Sequence, residues 1–169
     1  LFTFHVVPGK RAKYTEPAIQ GDTKLPAKTI VRATGWQVRF IGWWRQVTQA
    51  RTRSGLMGIR QKYQKQDRLS AKVQMTSLDY DPAKRRVRPN LTINAGPKID
   101  VKAIETKVSK RVLRRYVPVY TEGTVDRDLL VEGARNLRDY FQSRGYYDVD
   151  VSFRQLPPEN DLETIEYVI

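Results

Sequence analysis

The sequence predicts an α+β protein in which one strand–helix–helix–strand–strand unit is copied in tandem. Three observations carry the prediction. Within residues 124–154 the apolar period changes: Leu130, Ala134, Leu137 and Phe141 recur at helical spacing, then Tyr147, Val149, Val151 and Phe153 alternate with polar residues as in a strand. The same order recurs upstream at fixed offsets. Ile59, Tyr63, Ala71 and Val73 precede Leu137, Phe141, Val149 and Val151 by 78 residues (137 − 59 = 78), and Phe4, Val6 and Gly9 precede Leu91, Ile93 and Gly96 by 87 (96 − 9 = 87). Turn pairs such as Gly21-Asp22, Asp81-Pro82 and Gly96-Pro97 separate the pieces.

Taken in order, Phe2, Phe4 and Val6 alternate as a short strand that Pro8-Gly9 ends. Lys10 to Gln20 carries the next strand. Pro26 suits the first turn of a helix running to about Thr34. Residues 35–46, rich in aromatic side chains, read as an irregular connection. A longer helix covers roughly 47–66. Gly55 and Gly58 each weaken it by about 1 kcal/mol relative to alanine, which predicts close packing or a bend there. Leu69, Ala71, Val73 and Met75 alternate as a strand, and Val87, Pro89, Leu91 and Ile93 as the next.

From Lys98 the order begins again. Ile99, Val101 and Ala103 start a strand, and Ser109 to Tyr116 is a short helix with Val112 and Leu113 inward. Thr124 is the expected N-cap of the long helix, with Asp126 and Asp128 in its first turn, where the helix dipole favours negative charge. Gly145 stands where a left-handed residue ends it. Pro157-Pro158-Glu159-Asn160 is the turn before a last strand marked by Ile165, Tyr167 and Ile169. The organisation expected is therefore a last strand of a preceding unit over 1–9, one unit over 10–96 and another over 97–169. The chain opens inside an alternating pattern, which leads to the expectation of a piece excised from a longer protein.

Composition narrows the function. With 40% hydrophobic residues, the 169-residue chain can bury cores, and disorder is not expected. There is no cysteine, so disulfides and thiolate metal sites are excluded. A single histidine, His5, nearly closes off histidine catalysis and zinc chemistry. No apolar run approaches the ~20 residues of a membrane-crossing helix. A net charge of +13 points to an anionic partner: nucleic acid, lipid head groups or an acidic protein.

The pattern of a long helix, Tyr140, Gly145-Tyr146, Asp148, Val151, a turn and an alternating strand resembles the polypeptide-transport-associated (POTRA) domain, with Leu137 on the helix completing the signature. Such domains form the periplasmic part of outer-membrane assembly proteins of the BamA type. The first unit departs from the signature, because Asp67 and Arg68 stand where Gly145 and Tyr146 stand, so its helix must end with another cap. The second unit lacks the glycine that Gly21 supplies at the end of the first unit's opening strand. Serial units look more like the BamA or TamA kind than like division proteins of the FtsQ type or two-partner secretion transporters. The resemblance implies two antiparallel helices on one face of a three-stranded mixed sheet, with the strand after the long helix at the edge. Those edges fall at about 69–78 and 147–154.

An edge strand offers unpaired N–H and C=O groups to an incoming extended chain. On this reading Leu69, Ala71, Lys72, Val73 and Met75, and Tyr147, Val149, Val151 and Phe153, form the partner-binding edges. They would receive unfolded outer-membrane protein precursors and accessory assembly lipoproteins. The opposing reading is an edge blunted by Lys72, Asp148 and Asp150. Trp36, Arg39, Trp43, Trp44 and Arg45, with Arg85, Arg86 and Arg88 of the cluster at 84–88, are candidates for contacts with anionic phospholipid head groups or a partner. The opposing readings are aromatic rings closing a small core and a merely solvated basic face. Nucleic acid is the alternative anionic partner, though no recognised binding motif appears. The pairs Asp79/Asp81 and Asp148/Asp150 lack the ligand count of a calcium loop. No nucleophile with a base, paired carboxylates in a cleft or phosphate loop can be assembled, so no catalytic residue, cofactor or metal is expected. The function expected is a non-enzymatic periplasmic scaffold, with a nucleic-acid module, a two-partner secretion domain or a structural spacer as alternatives.

Overall fold

The computed structural model describes residues 2–5, 9–38 and 41–169. The chain divides into two compact units, Leu1–Ile59 with Val73–Ile93, and Arg60–Lys72 with Asn94–Ile169. The division is thus not one cut at Gly96: the last turn of the long helix and the loop after it belong with the second unit.

In the first unit, β4 (Arg86–Asn94) is the central strand. On one side it pairs in parallel with β1 (Lys13–Tyr14) and β2 (Ala18–Gln20). The expected strand over 10–20 is therefore two pieces. From Tyr14 to Ala18 the chain advances four residues while its partner advances three, from Val87 to Asn90. The extra residue makes a bulge at Thr15–Pro17, where proline has no N–H to bond. On the other side β4 pairs with β3 (Lys72–Asp81) through the turn at 82–85.

Helix α1 (Ala27–Thr34) starts behind Pro26 and ends at Gly35, whose φ of +63° lets its N–H reach Arg32 O. Helix α2 (Gln49–Gln64) follows the aromatic connection. Its two glycines are close-approach points, as the sequence predicts. A Cβ on Gly58 would lie 2.3 Å from Ala33 O, and one on Gly55 would lie 2.3 Å from the Trp36 indole nitrogen. Tyr14, Ile30, Trp36, Ile59, Leu91 and Ile93 make the buried interior.

Residues 2–5 form no strand, and Phe2 and Phe4 are exposed. Alternation gives such a segment a face, but a strand also needs a ladder to join. The remainder of that expected strand, Val6 to Pro8, lies outside the described residues.

In the second unit β7 (Leu162–Val168) is central, parallel to β5 (Lys98–Ile104) and antiparallel to β6 (Ser152–Gln155). Helix α3 (Lys110–Tyr116) is capped by the Ser109 hydroxyl, which accepts from Val112 N–H. A one-turn helix, α4 (Val119–Glu122), follows; the sequence reading did not anticipate it. Helix α5 (Arg127–Gln142) is capped by Asp126, not Thr124, because the Asp126 carboxylate accepts from Leu129 N–H. Leu113, Val117, Leu130, Leu137, Ile165 and Tyr167 build the core, joined by Leu69 from the loop after α2. Gly133 lets α5 approach the sheet: a Cβ there would lie 2.5 Å from the Tyr167 hydroxyl, which donates to Leu130 O at 3.0 Å.

The second unit is thus the expected mixed three-stranded sheet with its helices; the first unit has four strands, because β1 and β2 stand where one strand was expected. The edge strands start later than the sequence predicts. Residues 69–71 precede β3 and residues 147–151 precede β6. Val149 and Val151 still turn inward, but the ladder with β7 ends at the pair Ser152↔Val168. The segment before it is tied by other bonds. Tyr146 N–H reaches Phe141 O at 3.2 Å, the Gln142 amide reaches Tyr147 O, and Asp150 accepts from Arg138 at 3.0 Å.

Candidate sheet-edge binding site

A sheet edge can take another strand only where its outward N–H and C=O groups are unused. In each unit part of one edge is closed by the chain itself. Beside β1, Tyr14 N–H donates to Arg45 O at 3.0 Å and Val47 N–H to Ala12 O at 2.9 Å, so residues 45–47 occupy the outer side. Beside β5, Ile99 N–H donates to Asp67 O at 2.7 Å and Val101 N–H to the Tyr120 hydroxyl at 3.3 Å. Burial raises the Tyr120 pKa, and the bond from Val101 N–H only partly opposes it.

The strand after the long helix is open in both units. Among the described residues, no strand pairs with the outer side of β3 or β6. For β6 the outward groups can be named. Leu156 N–H donates to Thr164 O at 2.9 Å, which fixes the phase of the ladder. Antiparallel pairs alternate between bonded and non-bonded. With Arg154↔Glu166 and Ser152↔Val168 in phase with that bond, the backbone groups of Phe153 and Gln155 point away from β7. Beside them runs a cleft of about 600 Å³ between β6 and α5, floored by Leu130, Ala134, Val151 and Phe153.

The expected edge residues fall into different environments. Lys72, Val73 and Met75 lie on β3, with Lys72 exposed and Val73 buried. Phe153 lies on β6, half-buried against Tyr167. Leu69 is not an edge residue, because its side chain is 5% exposed within the second unit's core. Ala71, Val149 and Val151 precede their strands, and Val151 is buried. Tyr147 is 81% exposed in a turn. Asn90, on β4, was not singled out in the sequence. Its amide donates to Asp79 Oδ2 at 2.7 Å and Ser77 donates to Oδ1 at 2.9 Å. Those two bonds hold the Asp79 carboxyl below its usual range.

The aromatic candidates separate. Trp36 is 1% exposed and is no surface residue. It stacks on Tyr14 at 4.7 Å, and its indole N–H donates to Arg51 O at 2.9 Å. Trp43 is 70% exposed, Trp44 half-buried, and Arg45 exposed. Arg39 lies outside the described residues. In the hairpin cluster Arg85 and Arg88 are exposed and Arg86 is half-buried. A further basic cluster runs over 107–115, with Lys107, Lys110, Arg111, Arg114 and Arg115; there Lys110 pairs with Asp100 at 3.5 Å and Arg114 with Asp67 at 2.7 Å, so part of that charge serves the fold. No described helix is long and apolar enough to cross a membrane.

Residues 98–169 match the family model of the POTRA domain, described as surface antigen variable number repeat. No curated protein matches the chain. Among solved structures, the chain is similar to the POTRA3-5 fragment of BamA from Haemophilus influenzae, with 18% identity and a TM-score of 0.45, covering 94% of this chain and 60% of that one. It is also similar to CdiB from Escherichia coli, with 13% identity and a TM-score of 0.42, covering 100% of this chain and 29% of that one. A third is POTRA1-2 of the periplasmic domain of Omp85 from Anabaena, with 16% identity, a TM-score of 0.40 and coverages of 94% and 97%. The chain therefore spans less than two thirds of the length of the first two.

Proposed function

Taking as premise that residues 98–169 are a POTRA domain, we propose that the chain is a non-enzymatic periplasmic module of an outer-membrane protein assembly or secretion machine. It receives extended segments of unfolded outer-membrane protein precursors, or of accessory lipoproteins, as an added strand on the open edges of β6 and β3. Backbone pairing is largely blind to side chains, which suits many different clients.

One observation supports the choice of edge above the others. The second unit closes β5 with Asp67 O and the Tyr120 hydroxyl, while the outward groups of Phe153 and Gln155 on β6 take no strand among the described residues. A sheet with one edge partly sealed and the other open beside a cleft directs an incoming strand to a single side.

The test is an isotope-labelled chain titrated with an extended peptide of alternating apolar and polar residues. The amides of Phe153 and Gln155 are expected to shift and to gain protection from exchange. Gln155→Pro removes one outward N–H and also the side-chain bond from Gln155 to the buried Glu163 on β7, so it is compared with Gln155→Ala, which loses only that side-chain bond; the proline variant is expected to bind far more weakly than the alanine variant. Undiminished binding by the proline variant, with shifts confined away from 152–155, would overturn the reading.

A further inference from the structure

We propose that the β6 edge is selective for extended segments carrying acidic side chains at two positions four residues apart, with an apolar residue midway; this rests on the strand-addition reading above. The wall of the cleft is a stripe on α5. Arg127, Val131, Arg135 and Arg138 follow at spacings of four, four and three, so they share one face and all line the cleft. Arg138 is neutralised by Asp150 at 3.0 Å. Arg127 and Arg135 take part in no ion pair among the described residues. The acids of the same helix, Asp128, Glu132 and Asp139, do not line the cleft. Among the described residues no acidic side chain lines the cleft, so nothing there offsets Arg127 and Arg135.

The spacing specifies the ligand further. Arg127 and Arg135 are eight residues apart, about 12 Å of helix rise. Same-side residues of an extended segment recur about every 7 Å. A strand added to β6 would therefore set residues i and i+4 against the two arginines and residue i+2 against Val131. Guanidinium groups donate two N–H bonds to a carboxylate, so Asp or Glu at i and i+4 fits best.

The experiment uses three capped nine-residue peptides, identical except for Glu, Ser or Lys at i and i+4, binding to the whole chain by fluorescence anisotropy. The acidic peptide is expected to bind about tenfold tighter than the serine peptide, roughly threefold per exposed arginine–carboxylate contact, with a preference that shrinks in salt. Arg127→Gln/Arg135→Gln is expected to remove that preference. Lys28→Gln/Arg53→Gln, which removes the same charge from the first unit, is expected to retain it. Equal affinities for the acidic and serine peptides, with shifts still at Phe153 and Gln155, would overturn the selectivity and leave strand addition standing. A preference that survives in Arg127→Gln/Arg135→Gln would also overturn it, assigning the effect to overall charge. Absence of shifts at 153 and 155 with every peptide would overturn both.

Discussion

Asp67 and Gly145 stand 78 residues apart (145 − 67 = 78) and end their helices in the same way, with φ of +60° and +94°. The bonds repeat as well. Asp67 N–H reaches Gln64 O and Arg68 N–H reaches Tyr63 O; Gly145 N–H reaches Gln142 O and Tyr146 N–H reaches Phe141 O. Aspartate can occupy the left-handed region at a modest cost, whereas most side chains clash there. In the first copy the cap also carries contacts that glycine could not make. The Asp67 carboxylate takes both oxygens to Arg114, at 2.8 and 2.7 Å, and its carbonyl closes the β5 edge at Ile99.

From this, Asp67→Gly and Asp67→Ala separate. Glycine relieves about 1 kcal/mol of left-handed strain and gives up a half-exposed ion pair worth about 0.2–1 kcal/mol, so its stability should stay close to the parent. Alanine loses the ion pair and tolerates the left-handed conformation less well than aspartate, and is expected to cost about 1 kcal/mol. Urea unfolding of both variants measures this. An alanine variant as stable as the glycine one would remove the left-handed cap from the account.

The helices were legible because Leu130, Ala134 and Leu137 are apolar at helical spacing and all are buried. The cap at Asp67 was legible only as a missing glycine. The identity of its replacement depended on Arg114, far along the chain. Glu105, with φ of +67°, similarly takes a left-handed turn after β5 where Gly21, at +96°, follows β2. Alternation placed Val149 and Val151 inward, but the start of β6 depends on where the ladder to β7 begins, which a period cannot show. Among the aromatic residues, the rings of Trp36 and Trp43 look alike in sequence. Gly55 makes room for one of them, and that is a tertiary fact.

Gly55 and Gly58 give a prediction in which two effects compete. Alanine improves helix propensity by about 1 kcal/mol. Its Cβ would lie 2.3 Å from Ala33 O at position 58, and 2.3 Å from the Trp36 indole nitrogen at position 55. Such overlaps force a backbone or ring to shift, at about 1–3 kcal/mol or more. Gly58→Ala, facing backbone, is expected to lose about 2 kcal/mol net, and Gly55→Ala a similar amount with a changed Trp36 fluorescence. Stabilisation by either change, read from thermal melting, would contradict the close approach.

Tyr167 sets an alkaline limit. Its hydroxyl is buried, donates to Leu130 O, and has its pKa pushed well above the ordinary tyrosine value by burial. A hydroxyl whose pKa rises on folding favours the folded chain while protonated. The contribution is whole below the unfolded value near pH 10 and is lost progressively as pH climbs above it. Tyr120, raised by burial as well, acts in the same direction. Tyr167→Phe should cost about 1 kcal/mol at neutral pH through the lost hydrogen bond. The same variant should show a shallower fall in melting temperature above about pH 10. Identical pH profiles for parent and variant would sink the assignment.

The last prediction concerns Arg68 and Asp161, whose sequence separation of 93 residues hid their pairing. The Arg68 side chain is 5% exposed and Asp161 40%. The guanidinium donates to both Asp161 oxygens and to Gly96 O, and it stands where the second copy carries the exposed Tyr146. Removing one partner of a fully buried pair costs about 3–5 kcal/mol; partial exposure of Asp161 lowers the expectation for Asp161→Asn to about 2 kcal/mol. Adding Arg68→Met to Asp161→Asn removes the stranded charge and should recover part of that loss, since replacing both members of a buried pair by apolar groups is often neutral. Urea unfolding of the parent, both single variants and the double variant yields the coupling between the two positions. Strict additivity of the two changes would show that the pair contributes nothing to holding the loop after α2 against the turn at 159–162.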